Sequence, residues 1–169
     1  MIDSRKFREV LSAYPTGVCV VDAQDSHGHK HAMVVGSFSS ISLDPPLVGF
    51  CPAITSSSWQ GMADIGRFCI SVLGSDQLDY CKRFAASSPD KFGGLSHRSS
   101  LGGQPILDNV LAWIDCATEV VHEVGDHMLV VGRVEGLEKE RDALPLLFFR
   151  GSYHKIEDMK VTSDRGRFA

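Results

Sequence analysis

Between Gly17 and Tyr153 the sequence falls into short apolar runs, rich in Val, Ile and Phe and punctuated by Gly, Pro, Ser and Asp. This succession restricts the fold more than any other feature. GVCVVDA (17–23), the extended run from His31 to Leu43, LVGFC (47–51), RFCISVL (67–73), Leu111–Val124, Met128–Gly136 and LPLLFFRGSY (144–153) each have the length and residue types of a strand. Neighbouring parallel strands need a crossover of a dozen or more residues, usually helical, and that rhythm is missing. About six or seven strands with three short helices predict a mainly β fold with short α-helices, antiparallel and barrel-like.

Local signals fill in the outline. Phe7, Val10, Leu11 and Tyr14 stand at helical spacing behind Asp3 or Ser4, either of which can cap a helix, and Pro15 ends it. A second helix is expected over WQGMADIG, capped by Ser or Thr. A third starts from a Ser75 cap and carries Leu78, Cys81, Phe84 and Ala85 on one face. DSHGHK links the 17–23 strand to His31–Leu43 as a hairpin, and Asp44-Pro45-Pro46 is expected to end the pairing because proline supplies no N–H. In Leu111–Val124, Ala112, Ile114, Cys116, Thr118 and Val120 alternate inward. Ser87 to Gln104 reads as one long loop, and long loops in compact domains are often functional. Residues 1–169 are expected to form a single domain with a polar tail over 156–169.

Charge and composition exclude several classes. The 169 residues carry a net charge of −4, with no Lys/Arg cluster to serve as a footprint for nucleic acid. No apolar run approaches the roughly 20 residues that span a bilayer, and MIDSRKFREVLSAYP lacks the apolar stretch of a signal peptide, so the cytoplasm is the expected location. The five cysteines are widely spaced and form no C-x-x-C pair, which reads as plain thiols and not as a zinc or disulfide framework. His27-Gly28-His29-Lys30-His31 reads as a solvated hairpin turn; no metal site is expected. Rossmann, P-loop and G-x-S-x-G patterns are absent.

The remaining chemistry is distributed. In GSFSSISLDPPLVGF (36–50), Phe38, Ser40 and Ser42 face one way and Ser37, Ser39, Ile41 and Leu43 the other, so neither face is cleanly apolar or charged. Such small, hydroxyl-bearing residues let a planar ligand approach the backbone. Thr55-Ser56-Ser57-Ser58 offers four hydroxyls to a phosphate, Lys91 a cation and Phe92 an aromatic face. Gly125-Asp126-His127 forms a tight turn that leaves an imidazole at a strand mouth, and Arg150-Gly151-Ser152-Tyr153 closes the last strand. Singly, each also reads as an ordinary loop, turn or surface residue.

As an ordered set the motifs are specific. PTGVCVV, MVVGSFSSISLDPPLV, FCP followed by TSSSW, RFCISVL, DKF-G, GDH before VG-V, and PL followed by RG-x-Y together resemble the flavin reductase family, the small reductase components of two-component flavin-dependent monooxygenases. The likeness runs from about Phe7 to Tyr153. It implies an FMN-binding split β-barrel, normally a homodimer with flavin near the subunit interface. It implies FMN or FAD as the flavin, NADH or NADPH as hydride donor, and a monooxygenase component as partner.

Residue by residue, the resemblance implies that Met33, Val34, Val35, Gly36 and Ser37, with Ser39 and Ser40, border the isoalloxazine ring. It implies that Ser56, Ser57 and Ser58 hold the flavin phosphate, with Lys91 and Phe92 nearby. By the same resemblance His127 is expected to help place the nicotinamide, and Arg150, Gly151, Ser152 and Tyr153 to line the same pocket. Many relatives carry Thr and Asn or Ser where this chain has Val34 and Gly36, so the wall is expected to grip the ring through backbone N–H groups. Two other readings stay open: an FMN-retaining carrier without nicotinamide turnover, and a barrel whose flavin pocket has become an interaction module.

Overall fold

The structure, a computed structural model, describes residues 2–86 and 90–156. The tail expected from 156 onward lies outside the described residues after Ile156, as do positions 87–89 of the long loop. Helix α1 (Ser4–Leu11) is capped by Asp3, whose carboxylate accepts from Arg5 N at 3.2 Å. Its apolar stripe is not part of the core: Phe7, Val10, Leu11 and the following Tyr14 are each more than half exposed.

Strands β1 (Thr16–Gly17), β2 (Cys19–Gln24), β3 (Lys30–Val35), β4 (Ser39–Leu43) and β5 (Pro46–Phe50) lead into helix α2 (Ser57–Met62). Strand β6 (Arg67–Val72), helix α3 (Leu78–Ala85), the short pair β7 (His97–Ser99) and β8 (Pro105–Leu107), the long pair β9 (Ala112–Val124) and β10 (His127–Lys139), and β11 (Leu146–Phe149) with β12 (Ser152–Lys155) complete the order. All ladders are antiparallel. One seven-stranded sheet has the order β3-β2-β6-β9-β10-β5-β4, beside a three-stranded sheet β1-β11-β12 and the β7-β8 pair. The large sheet is not closed on itself, since β3 and β4 are its two edges. This is the open, antiparallel arrangement of a split barrel.

Several local expectations are corrected. The run from His31 to Leu43 is two strands. β3 pairs with β2 as a hairpin, but Gly36–Phe38 carries the chain away and β4 lies at the opposite sheet edge. The break is held by Ser37, whose hydroxyl accepts from Cys51 N at 2.9 Å just past the end of β5. Asp44-Pro45-Pro46 does not end pairing. It makes the β4–β5 hairpin, with a cis Asp44–Pro45 bond and Pro46 opposite Leu43, a first-residue position that proline tolerates. Ser75 does not cap α3; Gln77 precedes that helix, and its side chain instead accepts from Gly74 N at 2.9 Å and donates to Asp108 O at 3.2 Å. The inward alternation of β9 stops short of Val120, which is exposed, because a register shift intervenes beyond Thr118.

The loop read from Ser87 to Gln104 contains β7, paired across a turn with β8. LPLLFFRGSY bends into β11 and β12 at Arg150-Gly151, both with positive φ (49° and 79°), as a two-residue hairpin turn requires. Two apolar clusters flank β3. Met33 and Val35 pack with Phe50, Trp59, Met62 and Phe68, while Ala32 packs with Cys81, Phe84, Phe92 and Leu146. An edge strand so held, with α2 on one face and α3 on the other, is what positions the site. Four cysteines are buried and Cys51 alone of the five is exposed; burial pushes the Cys81 thiol up to about 11 and those of Cys19 and Cys116 to about 12. No helix among the described residues is long and apolar enough to cross a membrane.

Candidate functional site

The site grows from the outer edge of β3. In an antiparallel pair, alternate residues turn their main-chain groups towards and away from the partner strand. The Ala32 carbonyl accepts from Lys91 Nζ at 3.1 Å, so Ala32 faces away from β2, and Val34, two residues on, faces the same way. Among the described residues, β3 has no strand beyond it. Val34 therefore presents a main-chain N–H and C=O along an open edge.

Lys91 stands at the centre of this edge. Its ammonium donates to Ala32 O on β3, to Ser58 Oγ on α2 (3.1 Å) and to Phe84 O on α3 (2.9 Å). An ammonium has three N–H groups, and these three acceptors use them all. Burial lowers the Lys91 pKa from the ordinary lysine value. The segment delivering it is locally fastened: the Asp90 carboxylate accepts from Phe92 N at 3.2 Å and Gly93 N at 2.6 Å, and Arg83 Nε donates to Lys91 O at 2.8 Å. Phe92 is buried edge-on against Phe84 and His97, so it is a support behind Lys91 and not an exposed stacking face.

Around the lysine opens a cleft of about 660 Å³. Its wall includes Lys30 to Val34 of β3, Thr55 to Ser58 at the start of α2, Phe84 to Ala86 at the end of α3, and Lys91. Ser56 uses its hydroxyl as the helix cap, accepting from Trp59 N at 3.3 Å, while Thr55 and Ser57 are exposed. Among the described residues the cleft thus holds two lysines, a histidine and four hydroxyls, with no carboxylate, in a chain of net charge −4. A second cavity of about 250 Å³ adjoins it, lined by Val18, Val34, Val35, Gly36, Ala85, Phe148 and Tyr153. Val34 and Ala85 belong to both. The pair fits an amphipathic, planar ligand with an anionic tail: apolar walls and an open backbone edge at one end, cations and hydroxyls at the other.

The structure brings together Met33, Val34, Ser56, Ser57, Ser58 and Lys91 in the cleft, and Val34, Val35, Gly36 and Tyr153 in the smaller cavity. Other expected residues have different settings. Ser37 braces Cys51. Ser39 and Ser40 lie on β4 at the far sheet edge, where Ser39 Oγ donates to Ser40 O at 3.1 Å. Arg150 stacks over the Phe149 ring at 5.0 Å and, with Gly151, forms the β11–β12 turn before Ser152.

His127 begins β10 after the Gly125 turn. That turn is tied to the segment entering the cleft: Ala53 bridges His127, Ile54 N donates to Asp126 O at 3.1 Å, and Met128 N to Pro52 O at 2.9 Å. His127 Nδ1 lies 2.7 Å from Asp126 Oδ1, and this contact holds the Asp126 carboxyl below its ordinary value. An ionised carboxylate only accepts, so Nδ1 carries the proton and Nε2 is left to act outward.

Three parts of the wall escaped the sequence reading. Lys30 lies on β3 with His31 and not in the turn, and both line the cleft. Phe84 to Ala86 join as the C-terminal end of α3. Phe148 enters from β11. The periodicity K-H-A-M-V-V already carried the signal for Lys30 and His31; for Ala85 and Phe148, which depend on tertiary packing, there was none.

Comparison with known proteins finds relatives over nearly the whole chain. The profile described as "Flavin reductase like domain" matches residues 11–157. A flavin reductase of Pseudomonas putida is 51% identical over 152 residues, covering 90% of this chain and 89% of that one. The reductase subunit HsaB of a flavin-dependent monooxygenase from Rhodococcus jostii is 45% identical over 160 residues, covering 95% and 82%. Among solved structures, a homologue of nitrilotriacetate monooxygenase component B from Mycobacterium thermoresistibile superposes with a TM-score of 0.92 at 43% identity, covering 98% of this chain and 93% of that one.

Proposed function

The chain belongs to the flavin reductase-like family, and on that premise we propose how it works: it is an NAD(P)H-dependent flavin reductase that supplies reduced flavin to a partner monooxygenase. The observation that carries the reading is the continuity of the polar cleft with the apolar cavity through Val34 and Ala85. A flavin is a planar ring joined to a phosphate, and this site has a surface for each. When bound, the flavin accepts a hydride from the nicotinamide, which is cofactor chemistry that needs no protein nucleophile.

The protein's share is binding and orientation. Val34 offers its main-chain N–H to the polar edge of the ring, and Gly36 adds bare backbone to the wall of the smaller cavity. Ser57 and Ser58 donate hydroxyls to the phosphate, while Lys91 supplies positive potential and fixes Ser58. His127 positions the nicotinamide through Nε2, its tautomer set by Asp126. Holding the two partners against each other converts a bimolecular encounter into an oriented one. The reading places this reaction in the cytoplasm, with NADH or NADPH as donor and FMN or FAD as acceptor. It also makes the protein a homodimer, supported by the apolar face of α1 and by exposed Val120, Val121 and Val124 near the β9–β10 tip.

A steady-state assay crossing NADH and NADPH with FMN, FAD and riboflavin tests the proposal. Flavin-dependent oxidation in at least one pairing is expected. A purified protein that keeps a yellow chromophore and oxidises neither nucleotide would instead be a flavin carrier.

A further inference from the structure

We infer that Lys30 and His31 form a seat for a second phosphate, so that this flavin site selects FAD over FMN. The inference rests on the flavin reading above and extends it to two residues and one specificity.

Strand β3 acts as a ruler. Alternate residues along a strand are about 6–7 Å apart. The apolar cavity ends at Val34; one step back, at Ala32, lies the Lys91 ammonium with Ser58 Oγ; one further step reaches Lys30, with His31 between. With the ring at Val34 and the first phosphate at the Ser58–Lys91 level, the next cation lies on the side away from the ring. FMN has nothing to place there. FAD continues through a pyrophosphate into adenosine.

Two observations single out this end of the cleft. First, Lys30 and His31 are both partly buried in its wall, and among the described residues neither has an ion-pair partner and no carboxylate belongs to the lining. Second, the His31 ring is seated by a glycine. A Cβ on Gly61 would lie 2.3 Å from His31 Nδ1 and 2.6 Å from Cε1, so any larger residue at position 61 would displace the imidazole. Glycine within a helix is unfavourable by about 1 kcal/mol relative to alanine, and here the missing side chain makes room for the ring. Lysine and imidazole N–H groups are suited to a phosphate oxygen.

A second phosphate also occurs in the dinucleotide donor, and the test separates the two sources. Equilibrium dissociation constants for riboflavin, FMN and FAD are measured by flavin fluorescence for the full chain and for Lys30→Met, His31→Gln and Gly61→Ala. Michaelis constants for NADH and NADPH are measured in parallel, and thermal unfolding confirms that each variant is folded. The parent should bind FAD more tightly than FMN. Lys30→Met and His31→Gln should each weaken FAD by about five- to tenfold while leaving FMN within about twofold, and Gly61→Ala should follow His31→Gln. Equal losses for FMN and FAD would overturn the inference, as would unchanged FAD binding or an effect confined to the nucleotide Michaelis constants. A parent chain that binds no flavin at all would instead overturn the flavin reading beneath it.

Discussion

A Cβ built on Gly36 lies 2.7 Å from Thr16 Oγ1, so the Thr16 hydroxyl from β1 occupies the space that a side chain at position 36 would need. Gly36→Ser should lower stability by about 1–3 kcal/mol, the usual consequence of overpacking. Thr16→Ala leaves only a Cβ, 3.5 Å from the new atom, and should restore the double variant, whereas Thr16→Ser should not. Denaturant unfolding of the four proteins checks this; an unperturbed Gly36→Ser variant would show that Thr16 rotates aside.

Lys91 joins three elements through one nitrogen, and its removal should be felt twice. Lys91→Met leaves Ala32 O, Ser58 Oγ and Phe84 O without their donor and should cost about 1–3 kcal/mol in unfolding free energy. It also removes the charge nearest the proposed phosphate position, so FMN should lose more affinity than riboflavin. Lys91→Arg should restore the charge without the three-way clasp, since a planar guanidinium cannot reproduce ammonium geometry. Calorimetric binding of both flavins, beside a melting curve, separates the two effects; equal losses for riboflavin and FMN would confine Lys91 to a structural role.

His127 is tied to the cleft entrance by main-chain bonds and oriented by Asp126 at 2.7 Å. His127→Ala should raise the nicotinamide Michaelis constant by about three- to tenfold, the value of one hydrogen bond, with flavin affinity unchanged. Asp126→Asn should have a smaller effect in the same direction, because it loosens only the tautomer and the ring orientation. Unchanged Michaelis constant and turnover in His127→Ala would remove the histidine from the site.

Asp22, Cys69 and Asp115 stand side by side across β2, β6 and β9. Asp22 is fully buried, neither carboxylate oxygen has a hydrogen-bond partner among the described residues, and desolvation, with Asp115 adding repulsion, raises its pKa well above the ordinary aspartate value. The folded chain therefore keeps a proton that the unfolded chain has lost. The stability linked to this group is fully present below the ordinary pKa of about 4 and is lost as pH rises towards the folded value. Asp22→Asn abolishes that titration, so its melting temperature should gain on the parent as pH rises above the ordinary aspartate range. Parallel profiles would show that Asp22 does not titrate with unfolding.

Much of this architecture is written in local patterns, and the parts that are not share a physical cause. The Asp3 cap, the Ser56 cap and the Gly125-Asp126-His127 turn depend on residues within a few positions of one another, so they are legible from the chain. The break at Gly36–Phe38 is not, because alternation continues smoothly through it. What ends β3 is Ser37 reaching Cys51, fourteen residues away. Lys91 was legible as a cation but not as a clasp, since its partners come from three separate elements. Thr16 was invisible for the same reason: only the folded chain sets it against Gly36.

The most direct test of the central claim is an anaerobic half-reaction. The protein is mixed with flavin and NADH or NADPH, and the flavin's visible absorbance is followed as a monooxygenase component or a chemical acceptor is added. The expected result is rapid bleaching that depends on both protein and nicotinamide, followed by transfer of reduced flavin to the acceptor. Bleaching no faster than in protein-free solution, with every flavin and both nucleotides, would contradict it.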